Sequence, residues 1–387
     1  MTAPVSPMTA PISRPLFDAF PALRERVPFV PLADLPTPLE RMHTLSAQVG
    51  ADLWVKRDGL THPEYGGNKI RKFEFIFGDL QRKRARVILT GGGLGSHHTL
   101  ATAVLARQFG LQAVCSYYCQ PIDQDVHHNL RLSAPLGIDA HFCGDYTGLA
   151  LSFFGQYLRW WLRSGRPPYF VYPGAPGTLG MLGYVNAAFE IKAQLEAIGT
   201  PEPEVLFVAV GSCGTFAGLL LGARLAGLGC RIVGVRIIEE DVANRPKIAR
   251  LVNGAARYLR RRDPSIPRVT IGAGEVDLLD GYLGGGYAHP TAESVRAVRL
   301  VAQAESLPLE ITYTGKAMAA LLDHAARHPG SRLLFLDTFT ESTTLDKGEY
   351  HTLPERFWPV FDPAHDVNCW CLRAWRAPGF CWKRSME

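Results

Sequence analysis

The sequence has no long hydrophobic run. Nothing in it approaches the roughly 18 apolar residues that a membrane-crossing helix needs, so no membrane association is expected. Residues Met1 to Pro15 lack an apolar stretch behind an early positive charge. A secretory signal is therefore not expected, and residues 1–24 read as a flexible leader. Cysteine is scarce, 8 in 387 residues, and its spacing gives no disulfide framework, which points to a reduced, cytoplasmic setting. An excess of one charge is also lacking. The 41 basic and 36 acidic residues leave a net charge of +5, without the dense basic face of a dedicated nucleic-acid binder. Glycine is plentiful at 38, and 47% apolar against 20% charged residues is a globular balance that excludes wholesale disorder. The length suits one large or two medium domains.

Short apolar runs alternate with longer amphipathic ones. The pattern predicts strands over Val87–Thr90, Ala113–Tyr118, Asp139–Cys143, Tyr169–Tyr172, Val205–Val210, Ile232–Ile237 and Leu333–Leu336. Helical patterns fall between most of them, as in Thr99–Phe109, Leu179–Leu195 and Thr215–Ala226. Such alternation predicts an α/β fold with twisted, mostly parallel sheets flanked by helices. Ligands bind such sheets at the carboxyl ends of the strands, and two glycine-rich turns lie there, Gly91–Gly95 and Gly211–Gly214. The basic run Arg257–Arg262 reads as solvated surface. Past about Thr344 the alternation stops, and residues 346–387 read as a C-terminal extension.

Gly66-Gly67-Asn68-Lys69 opens a helical pattern reaching about Leu80. At about a hundred degrees per residue, Phe73, Ile76, Phe77 and Leu80 cluster around Lys69. Arg71 and Glu74 fall on the far side, and Lys72 at the edge. An ammonium on an apolar face is costly unless paired or neutralised. An imine with an aldehyde cofactor would neutralise it, and pyridoxal phosphate is the usual such aldehyde. The alternative is a lysine that reaches out past the phenylalanines into water. By itself, the helix favours this second reading.

Val205–Val210 leads into Gly211-Ser212-Cys213-Gly214-Thr215 and then a helix. A strand, a turn of small residues and a helix start present free backbone N–H groups to an anion. The turn lacks the Gly-Lys-Ser/Thr ending of a nucleotide P-loop and the spacing of the dinucleotide fingerprint. A single phosphate monoester fits, and a plain tight turn is the alternative. Val87–Thr90 leads similarly into Gly91-Gly92-Gly93-Leu94-Gly95-Ser96-His97-His98, a second anion site suited to a carboxylate. Adjacent histidines on a helix diverge by about a hundred degrees, so His97 and His98 read as a cap or a cofactor contact rather than a metal pair.

The chain resembles the pyridoxal-phosphate family that holds D-cysteine desulfhydrase and 1-aminocyclopropane-1-carboxylate (ACC) deaminase, of fold type II. The matching pieces are Pro31–Leu39, Trp54–Asp58, Gly66–Lys72, Gly180–Val185, Gly211–Thr215 and Tyr313–Met318. They run from about Arg26 to about Thr344. The resemblance implies a tryptophan synthase β-like architecture. Its large cofactor domain would comprise residues 25–72 and 181–345, and its small domain residues 73–180. Lys69 would form the imine and act as general base on Cα. Gly211, Ser212, Cys213, Gly214 and Thr215 would hold the phosphate. Gly95, Ser96 and His97 would hold the substrate carboxylate, and Tyr287 and Tyr313 would be active-site tyrosines. Thr314 would face the pyridine nitrogen, where ACC deaminases carry glutamate. A hydroxyl cannot keep that nitrogen protonated, so Thr314 favours expulsion of a β leaving group over ring opening.

Three departures from the family stand out. His97 replaces an asparagine that bonds the cofactor's ring oxygen. Asp337-Thr338-Phe339-Thr340 replaces His-Thr-Gly-Gly, so Phe339 should reshape the substrate pocket. Cys213 replaces a glycine. The expected activity is that of a lyase acting on a small amino acid by β-elimination, giving a 2-oxo acid and ammonia. The alternatives are ACC deamination, β-replacement, racemisation, or a cofactor-binding remnant without turnover. A homodimer follows from the family alone. His365, Cys369, Cys371 and Cys381 could suggest zinc, but a two-residue step between cysteines is short for a zinc pair. Trp370, Trp375 and Phe380 among them read as a segment docked by its aromatic rings, so no metal is expected.

Overall fold

The computed structural model describes residues 14–340 and 344–362. Its strands are β1 (Leu39–Arg41), β2 (Asp52–Arg57), β3 (Val87–Gly93), β4 (Gln112–Tyr118), β5 (Asp139–Gly144), β6 (Tyr169–Phe170), β7 (Val205–Val210), β8 (Arg231–Arg236), β9 (Leu278–Leu279) and β10 (Arg332–Asp337). The α-helices are α1 (Pro15–Ala19), α2 (Leu23–Arg26), α3 (His43–Val49), α4 (Asn68–Arg82), α5 (His97–Gln108), α6 (Gln124–Ser133), α7 (Tyr146–Ser164), α8 (Thr178–Ala197), α9 (Gly214–Ala226), α10 (Arg245–Arg262), α11 (Ala292–Glu305) and α12 (Thr314–Arg327).

The strands form two sheets. The larger has the order β1-β2-β10-β7-β8-β9, and the smaller β5-β4-β3-β6. Every pairing is parallel except that of β1 with β2. This is the expected α/β architecture, and all seven anticipated strands are present. The sequence pattern missed β1 and β9, which are too short for alternation to register. It also missed β2, where Lys56 interrupts the apolar run and is nonetheless buried.

Helix α4 sits between two apolar cores. Phe75 enters the core of the larger sheet, while Ile70, Phe73, Phe77 and Leu80 enter that of the smaller. The helix is therefore buried all round from Ile70 to Leu80, and the expected polar far side does not exist. Arg71 is instead fully buried. Its guanidinium donates to Asp58 at 2.7 and 2.8 Å and to Glu190 at 2.8 and 2.9 Å. The Tyr184 hydroxyl donates to Asp58 at 2.7 Å, and Lys56 Nζ donates to Glu190 at 2.5 Å. Burial alone would raise the Glu190 carboxyl, but Arg71 and Lys56 hold it down at about 2. Helix α8 comes close enough to join this cluster because a Cβ at Gly183 would run into the Arg71 carbonyl.

Residues 14–24, expected within the leader, are packed. Arg14 forms a buried ion pair with Glu74, and Leu16, Phe17 and Leu23 enter the larger core. The start of the C-terminal extension is packed too. Leu353, Phe357 and Val360 join the smaller core, with Phe357 edge-on to Tyr117 at 5.5 Å. The zinc-or-docking question over His365–Cys381 lies outside the described residues. The run Arg257–Arg262 ends α10, with Arg257, Arg260 and Arg261 exposed as expected. No helix among the described residues is long and apolar enough to cross a membrane.

Candidate active site

A cavity of about 530 Å³ opens at the carboxyl ends of β3 and β7 and is lined from both sheets. It gathers Lys69, Ser96, His97, Gly211, Ser212, Cys213, Thr215, Tyr287, Tyr313 and Phe339. These residues span most of the chain, yet the sequence reading had named every one of them. Gly95, Gly214 and Thr314 stand behind the wall.

Lys69 enters from the first turn of α4, where Gly67, at φ 91°, leaves the Asn68 side chain beside it. Lys69 Nζ donates to Asn68 Oδ1 at 2.6 Å. Burial pushes the amine down to about 8, against the opposing pull of Glu310. At neutral pH about a tenth is therefore the neutral amine that attacks an aldehyde or takes a proton, far more than for an ordinary lysine. Lys72, one turn on, was expected at the helix edge. It is buried, and its Nζ donates to the Gly174 carbonyl at 3.0 Å and lines the cavity beside the second glycine loop. Burial, and then the charge of Lys69, hold its amine well below the ordinary lysine value. The signal was present in the sequence, since residues three apart share a helix face.

The loop after β7 holds Cys213 in the left-handed region, at φ 73°. A glycine would adopt this conformation without strain. Burial raises the thiol to about 11, so it is a neutral group rather than a nucleophile. Helix α9 starts at Gly214 and directs its free N–H groups and dipole at the cavity. The Thr215 hydroxyl accepts from Asn68 at 3.3 Å and keeps its proton for a ligand. Ser212 donates to Gly174 at 3.0 Å.

At the other loop Ser96 caps α5, accepting from the Thr99 N–H at 3.3 Å, and it too keeps its hydroxyl proton. His97 departs from the expected role on the cofactor's ring oxygen. Its Nδ1 meets the Tyr65 hydroxyl at 2.5 Å and its Nε2 the Asn129 amide at 3.4 Å. With both nitrogens engaged, the ring presents a wall, edge-on to Phe339 at 5.4 Å. Burial, then Lys69, lowers its pKa to about 3, so it stays neutral. The neighbouring His98 behaves differently. The Thr90 hydroxyl donates to Val171 and so accepts from His98 Nε2, at 2.9 Å. This leaves Nδ1 a bare acceptor, buried in the cavity wall without a hydrogen-bond partner among the described residues.

Thr314 was expected to face a ring nitrogen. Its hydroxyl turns inward instead, accepting from the Glu310 N–H at 2.9 Å and lying 3.0 Å from Glu310 Oε1. Glu310 itself lines the cavity, as does Asp241. The start of α12 explains the exchange. The carboxylate of Glu310 takes up the N–H groups of Thr312, Tyr313 and Thr314, which have no acceptor within the helix. Burial raises Glu310 to about 7 despite these bonds. Nothing in the sequence singled it out. The Tyr287 and Tyr313 hydroxyls stand 2.6 Å apart, and burial holds both well above the ordinary tyrosine value.

The donor set fits an aldehyde cofactor bearing one phosphate. The N-terminus of α9, Thr215 and Lys72 would hold the phosphate, Lys69 the aldehyde carbon, and Ser96 a carboxylate. The His98 acceptor awaits a donor, as a cavity built for a polar ligand would leave it.

Comparison with known proteins agrees. The family model described as pyridoxal-phosphate dependent enzyme matches residues 30–338. A D-cysteine desulfhydrase of Klebsiella pneumoniae is 34% identical over 303 residues, covering 77% of this chain and 88% of its own. One of Yersinia pestis is 33% identical over 308 residues, covering 78% and 90%. Among solved structures, an ACC deaminase homologue superposes with a TM-score of 0.72 at 32% identity, over 84% of this chain and 96% of that one. A threonine deaminase of Solanum lycopersicum, at 15% identity and a TM-score of 0.56, shares the fold. The lysine on a buried helix, the glycine loop ahead of α9 and these matches agree, and the chain belongs to the pyridoxal-phosphate dependent enzymes.

Proposed function

We propose that the chain is a lyase that removes the Cα proton of a small amino acid and expels its β substituent, yielding a 2-oxo acid and ammonia. One observation carries this reading. A neutral-prone amine, Lys69, and a pair of hydrogen-bonded tyrosine hydroxyls, Tyr287 and Tyr313, line a single cavity. That is a base for Cα and an acid for a leaving group. Pyridoxal phosphate, when bound, supplies the sink for the electron pair left at Cα. The chain's residues do the rest. Ser96 and the first N–H groups of α5 hold the carboxylate and so orient the Cα–H bond toward Lys69 Nζ. The tyrosine pair shares a proton that one hydroxyl releases to the departing atom while the other steadies the oxygen left behind. His97 and Phe339 wall one side against water. The relatives named D-cysteine desulfhydrase support this reading. So does the family resemblance, from which a homodimer follows, while the sparse cysteines suggest a cytoplasmic setting.

A second reading, ring opening of ACC, is favoured by one finding. An acid, Glu310, lines the cavity where the hydroxyl of Thr314 was expected. The test is a panel of both enantiomers of cysteine and other β-substituted alanines, together with ACC, each read by the 2-oxo acid released. A three-carbon product from the cysteines or their analogues supports elimination. A four-carbon product from ACC alone overturns it in favour of ring opening, and no product from any substrate removes both.

A further inference from the structure

The cofactor and a three-carbon amino acid account for only part of this cavity. Lys69, Lys72 and the loop Gly211–Thr215 serve the cofactor, and Ser96 with the tyrosine pair serves the amino acid. The wall continues beyond them, past the carboxyl ends of β4 and β5, as Tyr118, Tyr146, Leu149, Ala150 and Phe153. None of these side chains carries a charge at neutral pH. Tyr118 and Tyr146 form a ring pair with centroids 4.6 Å apart. Tyr146 is 56% exposed and stands at the mouth, while Leu149 is buried.

The sequence places this shelf by a specific device. Helix α7 follows β5 and crosses back over the smaller sheet. At Gly91, in β3, an added Cβ would come within 2.9 Å of both Leu149 Cδ1 and Phe153 Cζ. Glycine there lets the first turns of α7 settle onto the strand ends and turn their apolar residues into the cavity. The opposite wall is closed by the edge-on contact of His97 with Phe339. Space for a substrate to grow therefore lies toward α7. The volume, about 530 Å³, falls among sites that take ligands of drug size, roughly 300–1,000 Å³.

We infer that the shelf of Tyr118, Tyr146, Leu149 and Phe153 receives a bulky apolar group carried on the β atom of the substrate, so that the site acts on thioether conjugates of cysteine bearing an aryl or aralkyl substituent. The inference rests on the lyase reading above and names its substrate class. The chemistry balances without an oxidant or reductant. The Cα–H and Cβ–S bonds break, the sulfur leaves with a proton as an apolar thiol, and water releases the remaining three carbons as a 2-oxo acid and ammonium.

The test compares S-benzylcysteine with cysteine, both enantiomers of each, on the holoenzyme. Two readouts are taken, 2-oxo acid release and the change in cofactor absorption on binding. The conjugate should be favoured in kcat/KM and bind more tightly, each by about tenfold or more. Tyr146→Ala and Phe153→Ala should each reduce that preference by about tenfold, as loss of a ring contact does. A conjugate that binds no more tightly than cysteine and reacts no faster overturns the inference. So does a preference that both substitutions leave intact. If the conjugate binds more tightly through these rings and no amino acid yields a 2-oxo acid, the shelf stands and the lyase reading falls.

Discussion

Helix α4 presents two buried ionic regions that differ in one respect. On one side Arg71 joins Lys56, Asp58 and Glu190, two cations with two carboxylates, all hydrogen-bonded within 2.9 Å. On the other, Lys69 and Lys72 share the cavity and, among the described residues, donate to neutral acceptors, an amide oxygen and a backbone carbonyl. A buried charge is tolerable when paired and expensive when not. The paired region therefore holds the fold, joining β2, α4 and α8. The unpaired region holds poised chemistry. Its lysines give up protons at lower pH than usual, as the paired Lys56 also does, but with neutral partners they remain available to a phosphate and an aldehyde. Several motifs that mark the family in the sequence, Thr37, Lys56, Asp58, Arg71 and Tyr184, belong to the paired region and do not line the cavity.

This contrast can be broken most strongly at Arg71. Arg71→Met strands Asp58 and Glu190 and should cost about 3–5 kcal/mol, measured by urea unfolding without cofactor. Lys72→Met, on the same helix, should cost nothing in that experiment or raise the midpoint, while weakening cofactor binding by tenfold or more in a fluorescence titration. Equal losses of stability in the two variants would erase the distinction.

Next in size is covalent attachment. Borohydride reduction and peptide mapping should find the pyridoxyl group on Lys69, and Lys69→Ala should remove it. A modified Lys72 would move the chemistry one turn along α4.

A pH experiment sharpens the contrast further. Glu310 titrates at about 7 in the fold against 4.5 for an ordinary glutamate. Between those values the folded chain holds a proton that the unfolded chain has lost. Its contribution to stability is complete below about 4.5 and fades as pH rises through about 7. The cofactor-free protein should lose more stability over that window than its Glu310→Gln variant. Parallel melting curves for the two would show that Glu310 does not titrate there. The smallest effect belongs to Thr314. Thr314→Val removes its buried bonds to Glu310 and should cost about 1 kcal/mol. A change in the bound cofactor's absorption as large as one at Glu310 would return Thr314 to the ring.

The sequence was a good guide wherever chemistry is local. Strand, glycine turn and helix start are short-range features, so both glycine turns could be read as strand–turn–helix units, with Ser96 and most of Gly211–Thr215 on one cavity. Lys69 could be read from the family motif Gly66–Lys72, since the phenylalanines around it on the helix wheel by themselves favoured a lysine reaching into water. It misled where a single-helix wheel assumes one buried face. Arg71, Glu74 and Lys72 look peripheral on that wheel, and two cores closing on α4 bury all three. Thr314 misled for another reason. A residue type matched a family position, but its hydroxyl is claimed by Glu310, four residues away.

What the sequence determined by itself was the alternating α/β order and the two glycine turns, because each is encoded within a dozen neighbouring residues, while the family resemblance pointed to the lysine and the tyrosines. The tertiary structure alone decided which cations are paired, that Glu310 faces the cavity, that His97 is locked between Tyr65 and Asn129, and that α7 lends the cavity an aromatic shelf. Each of these depends on segments far apart in the chain meeting at one place. There, burial and the available partners, rather than residue type, set charge and role.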